Sequence, residues 1–170
     1  MAPVPKPRSD EAEFQAALRG EDLLGVVVRA HIRIELCLND LVTSLVVDRA
    51  AVDKMNLEYA QLVHLAVALG LKDEYAPPLL AMGTLRNHFA HRADAQLGRQ
   101  EITNLFKALP ANDRGLVVQA YDRTKTQLDQ KALPSFRQLP PKEQLVFIAI
   151  GLRAALEFAL EDARRRKSAA

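Results

Sequence analysis

Apolar residues recur at spacings of three and four along most of the chain. The nine prolines, at positions 3, 5, 7, 77, 78, 110, 134, 140 and 141, leave long stretches uninterrupted. That spacing is the period of an α-helix, and proline, lacking an amide hydrogen, belongs at helix ends. No alternating strand pattern competes and no internal repeat is visible, so the pattern predicts an all-α fold. Ser9 or Asp10 can cap a short peripheral helix closing at Gly20. From Glu21 to about Asp48, Leu24, Val27, Val28, Ile34, Cys37, Leu38, Leu41, Leu45 and Val46 cover most of the helix circumference. A helix apolar nearly all round belongs in the middle of a bundle. Further helices are expected over Leu57–Leu69, stopping at Gly70, and from about Ala76 to His91, with Pro77 and Pro78 in the first turn. Three more follow: one through Ile102, Leu105, Phe106 and Leu109 closed by Pro110, one from Gly115 to Leu128, and one from Glu143 to Arg166. The last presents Leu145, Ile148, Leu152, Leu156 and Leu160 as one face. The expected core includes Val28, Leu38, Leu41, Leu65, Leu69, Leu85 and Phe89.

A chain of 170 residues has room for one core. Residues 1–9 read as a disordered leader, 10–166 as a single helical domain and 167–170 as a disordered tail. Hydrophobic residues make up 49% and charged residues 26%, a balance that excludes a disordered or collagen-like chain. The formal net charge of +2 lies far from the basic excess that holds nucleic acid by bulk electrostatics, so any basic site must be local. Cys37 is the one cysteine, which excludes an internal disulfide and a cysteine zinc site. The amino terminus, MAPVPKPRSD, lacks the apolar run of a signal peptide, and the apolar stretches elsewhere are interrupted by charge well short of a membrane span. These features lead us to expect a cytoplasmic protein with no membrane association, no metal and no cofactor.

Two polar stripes interrupt the central helix: Arg29, Arg33 and Asp40 on one line, and His31, Glu35 and Asn39 on another. They read as a solvated face with intrahelical pairing; in the alternative reading, Glu35 or Asn39 points inward to orient a polar group on a neighbouring helix. His64, within an apolar helix, reads as a core or boundary residue, and Arg164 to Lys167 as solvated cations at a helix carboxyl end.

The densest chemistry lies in Leu85-Arg86-Asn87-His88-Phe89-Ala90-His91-Arg92. Asn87 and His91 are four apart and share one face, while Leu85 and Phe89 share the face that packs inward. Arg86 can border the same groove as His91. Histidine can take a proton from a ribose 2′-hydroxyl, and arginine can hold the phosphate. Together these are the parts of metal-free RNA cleavage. His88 reads as a surface neighbour.

The string LRNHFAHR, following QLVHLAVALGLKDEYAPPLLAMGT, resembles the HEPN superfamily, and in particular its mannitol-operon-repressor-like (MltR-like) branch, over roughly residues 20–110. The resemblance implies a HEPN-like helical bundle, here with additional C-terminal helices, that forms a homodimer in which the Arg and His motifs of two chains line one cleft. It implies a metal-independent ribonuclease of the toxin or defence type, with Arg86 and His91 catalytic and Asn87 the polar residue after the Arg, acting on RNA and paired with an antitoxin or regulatory protein. The alternative it carries is a non-enzymatic transcriptional regulator or protein-binding module.

Overall fold

A computed structural model describes residues 22–92, 95–127 and 133–169. The leader and the first short helix expected up to Gly20 lie outside the described residues, as does Leu128. Every regular element among the described residues is helical. The first, α1 (Leu23–Leu45), begins where Asp22 Oδ1 accepts the Gly25 amide at 2.7 Å. It ends before the expected Asp48 because Val46 turns extended. Asp48 instead caps a short α2 (Arg49–Asp53), its Oδ1 accepting the Ala51 amide at 3.1 Å.

Glu58 and Gln61 form a capping box at the start of α3 (Tyr59–Ala68). Gly70, at φ +115°, closes it in a conformation open to glycine. A 3₁₀ turn at Asp73–Tyr75 leads into α4 (Ala76–His91), with its prolines in the first turn as expected. Then come α5 (Arg99–Ala108), α6 (Ala111–Gln127), a 3₁₀ turn at Phe136–Gln138, and α7 (Pro141–Ala169). Where a disordered tail is expected over 167–170, the last helix runs on past Arg166 through Ala169, and Ala170 lies outside the described residues. Lys167 Nζ reaches Ser44 O at 3.5 Å and Ser168 Oγ donates to Arg165 O at 2.9 Å, which tie its final turn down.

The core forms where α1 lies along α7, with α3 and α4 also packed on α1. Val26, Val27, Ala30, Ile34, Leu38, Leu41 and Val42 of α1 are buried, and so is the whole expected face of α7, from Leu145 to Leu160. Each such Leu or Ile contributes about 1.5–3 kcal/mol through burial. Farther along, Phe106, Tyr121, Phe136 and Phe147 form a linked set of rings under α6 and α7. Of the expected core, Leu38, Leu41 and Phe89 are buried, while Val28, Leu65, Leu69 and Leu85 are half-buried. While α7 spends its apolar face on the core, α1 also carries an outward apolar line: Leu24, Ile32 and Leu36 are 47%, 48% and 50% exposed. No helix is long and apolar enough to cross a membrane, among the described residues.

Candidate functional site

Phe89, buried beneath α4, fixes the rotation of that helix and sends Arg86, Asn87, His88 and His91 outward, all of them exposed. Arg86 Nη1 donates to Asn87 Oδ1 at 3.0 Å. Arg86 makes no ion pair with any described residue, so most of its guanidinium donors remain open to an anion. His91 lies one helical turn beyond Asn87 on the same side of α4. His88 packs edge-on against Phe89, with ring centroids 5.8 Å apart.

Arg86 and Asn87 form one wall of a groove of about 520 Å³ between α4 and α1. His31 and Glu35 line it from α1, Tyr59 from α3, and Gly83 from the middle of α4. The structure therefore brings Arg86 and Asn87 together on this groove, whereas His91 is not among its wall residues in the single chain. The imidazole inside the groove is His31, only 5% exposed. The expectation of a solvated stripe fails at this residue. His31 stands four residues after Val27 and three before Ile34, both fully buried, so the helical period carries it to the inner side of α1.

The surroundings of His31 determine its charge. Its ring centroid is 4.3 Å from that of Tyr59, and its Nδ1 lies 3.7 Å from Glu35 Oε2. Burial, and secondarily the Arg86 cation, lower its pKa from 6.5 to about 4. His31 is therefore a neutral, weakly basic imidazole at physiological pH. Tyr59 is fixed by its hydroxyl, which donates to Leu79 O at 3.0 Å, and its phenol is pushed well up by burial and then by Glu35. Gly83 makes room for it, because a Cβ there would sit 2.8 Å from Tyr59 Cδ1.

Of the two residues that the alternative reading turns inward, Glu35 lines the groove, whereas Asn39 is exposed and donates from Nδ2 to Glu35 O at 3.0 Å. His64 is exposed rather than a core or boundary residue. Arg165 and Arg166 both pair with Asp162 at the surface of α7, the solvated arrangement expected of that basic run. Cys37 is half-buried, and burial followed by Glu157 raises its thiol pKa, which disfavours the nucleophilic thiolate. Among the described residues no three His, Cys, Asp or Glu side chains are grouped so as to hold a metal ion. Comparison with family models, with curated proteins and with solved structures gives no match.

Proposed function

We propose that this protein is a HEPN-like, metal-independent endoribonuclease acting as a homodimer, with Arg86 and His91 as its catalytic residues and Asn87 orienting the Arg86 guanidinium. The observation that carries the reading is Arg86 itself: an exposed guanidinium with no carboxylate partner among the described residues, held by Asn87 over a polar groove. An unpaired guanidinium fork suits a phosphodiester, which it can grip with two parallel hydrogen bonds.

In the reaction the ribose 2′-oxygen attacks the adjacent phosphorus and its proton passes to His91. The P–O5′ bond breaks, and the leaving 5′-oxygen takes a proton from the imidazolium of the second copy's His91. Arg86 offsets the charge that builds on the phosphoryl oxygens. The products are a 2′,3′-cyclic phosphate and a 5′-hydroxyl. His31 is a poor proton acceptor for this step, since it is buried and its basicity is depressed. The exposed apolar line of α1 supports a twofold partner, because it lies on the same helix that supplies His31 and Glu35 to the groove.

The test compares wild type, Arg86→Ala and His91→Ala on structured and unstructured RNA in EDTA, with folding checked by circular dichroism. Each substitution should lower cleavage by about 10²–10⁴-fold, and wild-type products should end in cyclic phosphate. Equal cleavage by all three proteins would refute the site. No cleavage by a folded wild-type dimer would turn the reading to a non-enzymatic regulator or binding module.

A further inference from the structure

We propose that the groove between α1 and α4 selects guanine, the Glu35 carboxylate accepting hydrogen bonds from the N1–H and N2–H of the base while Arg86 holds the attached phosphate. The inference rests on the reading of this groove as a polynucleotide site and adds what that reading lacks, a basis for choosing among bases.

Glu35 is placed for this task. It lines the groove, its side chain is 40% exposed, and its one partner at ion-pair distance among the described residues is His31. Burial keeps that imidazole neutral, so it does not neutralise the carboxylate. Two acceptor oxygens remain at the edge of a groove whose about 520 Å³ falls within the range of small-molecule sites, about 300–1,000 Å³.

An ionised carboxylate only accepts hydrogen bonds. Among the four RNA bases, guanine alone presents two adjacent donors on its Watson–Crick edge. Adenine and cytosine set one amino group beside a ring nitrogen acceptor, and uracil flanks its N3–H with two carbonyl oxygens. Each of those acceptors would face the carboxylate and repel it. The opposite charges of Glu35 and Arg86 thus suit two parts of one nucleotide, a donor edge and a phosphate. The wall between them is rigid, because Tyr59 is anchored on Leu79 O and lies against Gly83 and His31.

The experiment titrates 3′-GMP, 3′-AMP, 3′-CMP and 3′-UMP into wild type, Glu35→Gln and Arg86→Ala by isothermal calorimetry, beside a cleavage assay on RNA of mixed sequence. Wild type should bind 3′-GMP about tenfold or more tightly than the other three. The preference should vanish in Glu35→Gln, a near-isosteric change whose folding circular dichroism verifies. Arg86→Ala should weaken all four nucleotides alike. Equal binding of the four by wild type, or an intact guanine preference in Glu35→Gln, overturns the proposal. Cleavage without base preference defeats guanine selection and leaves the nuclease reading standing, whereas selective 3′-GMP binding without any cleavage upholds guanine selection and defeats the nuclease reading.

Discussion

Replacing Gly83 by Ala should destabilise this protein, although the same change in most helix interiors does the opposite. A glycine inside a helix ordinarily costs about 0.8–1.0 kcal/mol relative to alanine. At Gly83, however, the added methyl would meet Tyr59 Cδ1 at 2.8 Å and Cε1 at 2.9 Å, well inside the separation of about 3.5–4.0 Å at which carbon atoms attract. Tyr59 has little freedom to yield. Its hydroxyl is bonded to Leu79 O at 3.0 Å and its ring sits 4.3 Å from that of His31. Overpacking of this kind costs about 1–3 kcal/mol, and losing the hydroxyl bond costs about 0.5–1.5 kcal/mol more. The unfavourable terms exceed the helix-propensity gain, and a net loss of about 1–3 kcal/mol follows. At about 2–4 °C per kcal/mol for a chain of this size, Tm should fall by roughly 2–12 °C. Thermal unfolding followed by circular dichroism, with urea denaturation at 25 °C, measures both quantities. In a Tyr59→Leu background the ring atoms are gone, and Gly83→Ala should become neutral or stabilising by up to about 1 kcal/mol. A rise in Tm when Gly83→Ala is made in the wild type would refute the reasoning.

His31 makes stability depend on pH. With its folded pKa at about 4 against 6.5 for the free side chain, the unfolded chain binds the extra proton between those values, so the His31 contribution is complete above pH 6.5 and is lost as pH falls toward 4. The loss amounts to roughly 3 kcal/mol; His31→Asn should flatten that part of the profile, and identical slopes in the two proteins would contradict it. Phe89, 6% exposed, should cost about 3–5 kcal/mol when truncated to Ala, and a loss below about 1 kcal/mol by urea denaturation would show that it does not anchor α4. Ile32→Asp alters a residue that is 48% exposed, so it should leave stability within about 0.5 kcal/mol while converting a dimer to monomers in sedimentation. A wild type already monomeric at tens of micromolar would remove the composite cleft.

The helical class was legible because proline placement and three-to-four spacing depend only on backbone chemistry. Helix ends were less so: Asp48 looked like the end of α1 but serves as the cap of α2, and a helix as short as Arg49–Asp53 carries too few turns to show a period. At the candidate site, the outward direction of Arg86, Asn87 and His91 followed from Phe89 facing the core. The groove did not, since it needs Tyr59 and Gly83 from segments far apart in the chain. His31 was assigned to solvent because histidine, glutamate and asparagine at four-residue spacing resemble a solvated stripe. The contrary signal was present in Val27, His31, Ile34 and Leu38, whose four-three-four spacing marks the buried side of α1.

The packing of α1 on α7 also bears on how the chain is made. These two helices are neighbours in space but are separated by about a hundred residues of sequence, and at translation rates of about 5–20 residues per second the interval between their synthesis is roughly 5–20 seconds. Throughout it Ile34, Leu38 and Leu41 have no α7 to cover them. The nascent chain therefore carries the buried face of α1 before that helix's main cover has been made, and Ile34, Leu38 and Leu41 wait for it until Leu145 to Leu160 leave the exit tunnel.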